Sequence, residues 1–145
     1  MNFGYLPITG DQQFLSCVKD LLFPPEVEVV GIQTLGGTGA NHLGAVLLSK
    51  LVNRVWIPEQ TWANHYQIWS CLPVPQSTYP YYWAPTHGIA FEKLLDSLEM
   101  ADEGDAVILH ASCQNPTGLD PTREQWIQLC DLMIRKRLIP LFDAA

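Results

Sequence analysis

Apolar residues at Phe14, Leu15, Val18, Leu21 and Leu22 recur at spacings of three and four between Asp11 and Pro24-Pro25, and predict an amphipathic helix with a capped start and a proline stop. The period then changes. Val27, Val29, Val30 and Ile32 alternate and run β-branched, which predicts a strand over 27–34. A Gly36-Gly37-Thr38-Gly39 turn opens a second helix through Ala40, Leu43, Val46, Leu47 and Leu51. Arg54-Val55-Trp56-Ile57 predicts a short buried strand ended by Pro58, and Trp62 to Trp69 a short helix. Residues 72–88, with Pro73, Pro75, Pro80, Pro85 and Gly88, predict a loop around one aromatic strand near Tyr79 to Trp83. Phe91, Leu94, Leu95 and Leu98 form a helical stripe, and Ala106-Val107-Ile108-Leu109 reads as a strand covered on both faces. Asp120-Pro121-Thr122-Arg123-Glu124 predicts a helix entry with Asp120 as cap and Pro121 in the first position. That helix runs through Trp126, Ile127, Cys130 and Ile134 to Arg135, Lys136 and Arg137, where positive charge suits its C-terminal end. Leu138 to Phe142 predicts the last strand.

Alternating strands and helices of this length imply βαβ units, an α/β fold and a mostly parallel sheet in one domain over 1–145. Such a sheet binds its ligand outside the carboxyl ends of its strands. The glycine turn at 36–38, Asn115 and Asp143 all fall there.

Charge and composition narrow the partners. Eight Lys+Arg against fifteen Asp+Glu leave a net charge of −7, which argues against a nucleic-acid surface and against attraction to anionic membranes. Cys17, Cys71, Cys113 and Cys130 are scattered, with neither disulfide-framework nor metal-ligand spacing, so no metal is expected and a reduced, cytoplasmic setting is. No apolar stretch approaches the roughly 20 residues that span a bilayer.

Four places carry candidate chemistry. A glycine turn leading into a helix presents backbone N–H groups to an anion, and Thr38 adds a hydroxyl donor, so Gly36, Gly37 and Thr38 suit phosphate. GGTG matches neither common phosphate fingerprint, so a plain turn stays open. Trp62 follows a strand end, where its face can stack on a planar heterocycle or simply join the core, with His65 one helical turn on. In Asn115-Pro116-Thr117-Gly118 an amide follows a buried strand and can donate to an oxygen substituent, while Pro116 fixes the turn and makes a cis bond plausible; a plain turn is the other reading. Asp143 ends an apolar strand, where a carboxylate is costly without a positive partner unless it is simply an exposed strand-end acid. His65 and His110 read either as satisfied core histidines or as groups that orient Asp143.

Together these residues resemble the aspartate/aromatic aminotransferases, a family that uses pyridoxal 5′-phosphate. The blocks are Tyr5 to Gly10, Thr34 to Ala40, Arg54-Val55-Trp56 with Trp62 to His65, Asn115 to Thr122 with Glu124-Gln125-Trp126, and Pro140 to Asp143. The resemblance implies that the chain is the first part of the family's large domain. It also implies that Gly36, Gly37 and Thr38 hold the cofactor phosphate and that Trp62 stacks on the ring and helps bind the substrate carboxylate. Asn115 then donates to the ring 3-hydroxyl and contacts substrate, while Asp143 pairs with the pyridine nitrogen, supported by His65 and His110. Tyr5 matches a tyrosine that reaches the partner's cofactor phosphate across a homodimer. The implied substrates are an amino acid, such as aspartate or an aromatic one, and 2-oxoglutarate.

Two departures stand out. Gln114 replaces a usual histidine before Asn115, and Ala144 follows Asp143 where a larger residue is common. The family's Schiff-base lysine and substrate-carboxylate arginine have no counterpart here, since Lys19, Lys50, Lys93 and Lys136 all sit in helical stripes or at helix ends. Both ends, Met1-Asn2-Phe3-Gly4-Tyr5 and Phe142-Asp143-Ala144-Ala145, read as cut, so the expectation is an inactive fragment. A non-catalytic remnant, one half of a split enzyme that binds a second chain through its sheet edge, and an unrelated phosphate-binding α/β domain are the other readings.

Overall fold

The computed structural model describes residues 4–144, so the start at Met1-Asn2-Phe3 and the last residue, Ala145, lie outside the described residues. The chain divides into two compact units, the first ending at Ala40 and the second beginning at Asn41.

In the first unit, α1 (Gln12–Leu22) starts where the sequence predicts, because the Asp11 carboxylate accepts the Gln13 and Phe14 N–H groups at 2.9 and 3.0 Å. The segment after it departs from expectation. Residues 27–34 form no strand: Val30 and Ile32 are exposed, and Gln33 donates to the Thr9 carbonyl rather than to a ladder. Helix α2 (Gly36–Leu48) begins on the glycine turn and continues into the second unit.

The second unit is built on a four-stranded parallel sheet, ordered β2 (Gln76–Tyr79), β1 (Val55–Pro58), β5 (Ala106–His110), β6 (Ile139–Asp143). This is the α/β architecture that the alternating pattern implies. Pro58 closes β1 from inside the strand, and β6 extends one residue past Phe142 to include Asp143. The 72–88 stretch holds more order than one strand: β2 is followed by a small antiparallel pair, β3 (Tyr82–Trp83) and β4 (Gly88–Ile89).

Strand alternation sorts the core onto two faces. Trp56, Val107 and Leu109 pack with Leu94 and Leu98 of α4 (Phe91–Glu99) and with Leu129, Leu132 and Met133 of α5 (Arg123–Lys136). Val55, Ile57, Ala106 and Ile108 pack with Ala45 and with Ile68 and Trp69 of α3 (Ala63–Ser70). Both β1 and β5 are buried along their whole length, as near-continuous apolar runs require.

The cap of α5 is Thr122, two residues later than the sequence suggests. Its hydroxyl accepts the Gln125 N–H while the Gln125 side chain accepts the Thr122 N–H, a reciprocal capping box. Asp120 is occupied elsewhere, accepting the Cys113 and Gln114 N–H groups at 2.9 and 3.2 Å and so closing the loop after β5.

Candidate functional site

Parallel strands bring their carboxyl ends together, and here that end carries the polar side chains. His110 and Asp143 are the paired last residues of β5 and β6, and the Ala111 N–H donates to the Asp143 carbonyl at 2.8 Å. His65 reaches them from the first turn of α3. All three belong to the second unit.

A chain of hydrogen bonds joins them. The Asn115 backbone N–H meets His110 Nδ1 at 3.5 Å, and His110 Nε2 lies 3.0 Å from the Thr61 hydroxyl. Thr61 Oγ1 lies 2.8 Å from His65 Nδ1, and His65 Nε2 lies 2.9 Å from Asp143 Oδ2. Burial pushes both imidazoles below the ordinary histidine range: for His65 it outweighs the raising effect of Asp143, and for His110 it is reinforced by the neighbouring His65. Burial thus favours the neutral form of both rings.

Neutral rings give the chain one direction. The backbone N–H can only donate, so His110 Nδ1 accepts and its Nε2–H donates to Thr61. The Thr61 hydroxyl donates to His65 Nδ1, and His65 Nε2–H donates to Asp143. These tautomers are assigned from the hydrogen-bond pattern. The result fixes the Asp143 carboxylate, whose side chain remains 16% exposed.

Both histidines are buried, at 1% and 8% exposure, but only His65 touches Asp143 by a hydrogen bond. His110 acts through Thr61. Trp62, half-buried, stands edge-on to His65 with ring centroids 5.6 Å apart and an interplanar angle of 88°. Asn115 is exposed on its turn, the Asn115–Pro116 bond is cis, and Gly118 closes the turn by donating to the Gln114 carbonyl at 2.6 Å. Trp62, His65, His110, Asn115 and Asp143 thus share one strand-end cluster. Sequence reasoning missed Thr61, although a hydroxyl four residues before a histidine at a helix start is the signal that could have found it.

The glycine turn and Tyr5 belong to the first unit. Gly36 has φ +69°, the left-handed region open to glycine, and a Cβ added at Gly36 or Gly37 would meet nothing within 4 Å. Backbone can therefore be approached closely at the start of α2, where a helix dipole favours an anion. Tyr5 is fully exposed.

Comparison with known proteins adds a lineage. The model of the family described as aminotransferase class I and II matches residues 1–145. The L-tyrosine:2-oxoglutarate aminotransferase of Aspergillus ustus is 42% identical over 155 residues, covering 97% of this chain and 30% of that protein. The aspartate aminotransferase of Escherichia coli is 40% identical over 150 residues, covering 98% and 38%. Among solved structures, the aromatic-amino-acid aminotransferase of Burkholderia pseudomallei, covalently bound to pyridoxal phosphate, superposes with a TM-score of 0.94 at 37% identity, over 100% of this chain and 38% of that one. The aspartate aminotransferase of Saccharomyces cerevisiae cytoplasm gives 0.93 at 36%, over 99% and 37%. The chain spans about a third of the length of these relatives.

Proposed function

The chain belongs to the aminotransferase class I and II family, and from that premise we propose that it carries the ring-binding part of a pyridoxal-phosphate site. The activity served is amino-group transfer between an amino acid, aspartate or an aromatic one, and 2-oxoglutarate. One observation carries the reading: a buried relay of neutral imidazoles ends on the Asp143 carboxylate. A carboxylate has about four acceptor sites, so one taken by His65 leaves capacity for a cationic ring N–H.

Within the second unit the residue types suit the cofactor's ring. Asp143 would hold the proton on the pyridine nitrogen, Asn115 would donate to the ring 3-hydroxyl and Trp62 would stack on the ring. In the first unit, Gly36, Gly37 and Thr38 suit the phosphate. When bound, the cofactor supplies an electron sink for the bond broken at the amino acid's α-carbon. Trp62 and Asn115 also contact substrate in this reading, and Tyr5 serves the second subunit of a homodimer. We place the protein in the cytoplasm, with cytoplasmic aspartate aminotransferases among its relatives.

The chain by itself is proposed to be inactive. Lys93 lies over the Trp83 ring and Lys136 donates to the Glu99 carbonyl at 2.6 Å, so both are engaged away from the strand-end cluster. Titration with pyridoxamine 5′-phosphate, which has no aldehyde to capture stray amines, tests the site through quenching of tryptophan fluorescence. Asp143→Asn is expected to weaken binding about tenfold or more, the loss of one charge-assisted hydrogen bond. Equal affinity in Asp143→Asn and wild type would sink the assignment.

A second reading, half of a split enzyme that binds another chain, is favoured by the outer edge of β6, which among the described residues pairs only with β5. There a groove of about 290 Å³ is lined by Leu109, Trp126, Leu129, Met133, Leu138 and Phe142. A strand's outer edge beside apolar surface invites a partner. Mixing with a second polypeptide that carries the remainder of a relative's sequence is then expected to give a stable complex with cofactor absorbance. Separate elution of the two in size-exclusion chromatography would exclude it.

A further inference from the structure

Gln114 has no place in the relay, yet its side chain is 1% exposed and every polar atom on it is engaged. Its Nε2 donates to the Gln60 carbonyl at 2.6 Å and to the Asn115 carbonyl at 3.0 Å. Its Oε1 accepts the Thr117 N–H at 3.0 Å and the Thr117 hydroxyl at 2.5 Å. On the far side, the Gln60 Oε1 accepts the Tyr81 and Tyr82 N–H groups at 3.3 and 3.0 Å. One primary amide therefore ties two segments that are far apart in sequence. The first, ending at Gln60, leads directly into Thr61 and Trp62. The second is the turn that displays Asn115.

The residue type matters because two donors and one acceptor with two lone pairs must leave a single planar group. Glutamate would turn both donors into acceptors facing carbonyl oxygens. A neutral histidine, the residue that the family resemblance leads one to expect here, offers one donor and one acceptor and could make at most half of these bonds.

We propose that Gln114 is a positioning residue, setting the Asn115 amide in register with Trp62 for the cofactor ring, an inference that rests on the function proposed above. It touches neither cofactor nor substrate. Its effect passes through the Gln60 carbonyl on one side and the 115–117 turn on the other.

Two measurements on the full chain test this. The first needs no ligand: in Gln114→Met, which keeps the length and removes the hydrogen bonds, amide exchange accelerates about tenfold at Tyr81 and Tyr82 as well as at Thr117, while β5 amides keep their protection. Acceleration confined to Thr117 would overturn the bridge. The second is a double-mutant cycle read by pyridoxamine 5′-phosphate affinity. Gln114→Met and Asn115→Ala each weaken binding about tenfold, and the pair loses less than about twofold beyond either single change. Losses that multiply to about a hundredfold would mean independent roles and overturn the proposal. Where Gln114→Met does not fold, Gln114→His serves, with smaller losses in the same pattern. Failure of the wild-type chain to bind pyridoxamine 5′-phosphate overturns the proposed function and the ring-positioning role together, whereas binding that survives with multiplying losses overturns only Gln114.

Discussion

Thr61→Val removes one oxygen from the middle of the relay and leaves the shape of the side chain nearly unchanged. The hydroxyl lies 2.8 Å from His65 Nδ1 and 3.0 Å from His110 Nε2, so its loss orphans an acceptor on one ring and a donor on the other. Leaving a buried polar group unsatisfied costs about 1–3 kcal/mol. His65 is 1% exposed and bears its full share, whereas His110 at 8%, beside a half-buried Thr61, has some access to water. The expected loss is about 2–4 kcal/mol, a large part of the 5–15 kcal/mol that holds a typical domain together. At about 3 °C per kcal/mol for a chain of this size, the melting temperature falls by about 6–12 °C. Thr61→Ser keeps the hydroxyl and is expected to lose under about 1 kcal/mol.

Urea unfolding followed by circular dichroism measures both variants, and long-range ¹H–¹⁵N spectra read the ring tautomers directly. Wild type should show the Nε2–H form at His65 and at His110. In Thr61→Val the His65 ring is no longer held to one tautomer by its Nδ1 partner, although Asp143 still favours Nε2–H. If Thr61→Val proves as stable as Thr61→Ser, or if wild-type His65 carries its proton on Nδ1, the directed relay is wrong.

The lowered pKa values of His65 and His110 predict acid sensitivity. Below the ordinary histidine pKa of about 6.5 the unfolded chain takes up protons that the folded rings resist, so stability is full above that pH and declines on acidification until the folded rings also protonate. Each ring contributes a slope of at most about 1.4 kcal/mol per pH unit, and urea midpoints at pH 7.5, 6.5 and 5.5 that do not fall with pH in wild type, or that fall equally in His65→Gln, would contradict it. Gly36→Ala should destabilise by about 1–2 kcal/mol because φ at this position is +69°. Gly37→Ala, with open space around its Cβ, should be neutral or gain up to about 1 kcal/mol, so equal melting temperatures for the two variants would count against the turn geometry. Incubation of the purified chain with aspartate, 2-oxoglutarate and added pyridoxal phosphate should form no oxaloacetate above a protein-free blank, and sustained turnover would show that the chain has a competent lysine after all.

Much of the fold was legible because each element carries local and tertiary signals that agree. Asp11 caps α1, the apolar run 106–109 is a strand buried on both faces, and the carboxyl ends of β5 and β6 gather His110 and Asp143. The failure at 27–34 has a physical cause. Alternating β-branched residues report that a segment would suit a pleated surface, but a strand exists only where a neighbour completes its ladder, and Val30 and Ile32 stay exposed instead. Asp120 misled for a related reason. A carboxylate before a proline is a good cap locally, but the loop after β5 needed an acceptor for the Cys113 and Gln114 N–H groups, and Thr122 with Gln125 could cap α5 without it.

The candidate site was legible at its conspicuous residues, His65 and His110 in the middle of the relay included. Asp143, Trp62 and Asn115 stand out because their residue types are conspicuous at strand ends, while Thr61 and Gln114 are ordinary polar residues whose roles exist only after folding. Yet Thr61 joins the two histidines, and Gln114 ties the Asn115 turn to the segment before Trp62. Two neutral imidazoles and a hydroxyl could transmit hydrogen bonds in either direction, and reversed they would present His65 Nε2 as an acceptor to the Asp143 carboxylate, two acceptors face to face. The Asp143 carboxylate, which can only accept, selects the direction at 2.9 Å, and the Asn115 backbone N–H, which can only donate, agrees with it at 3.5 Å at the far end. The turn that displays the Asn115 amide thus stands at the far end of the same chain of hydrogen bonds that aims His65 at Asp143. Substitutions that shift this turn should therefore disturb the carboxylate four hydrogen bonds away, even where no atom in contact with it has changed.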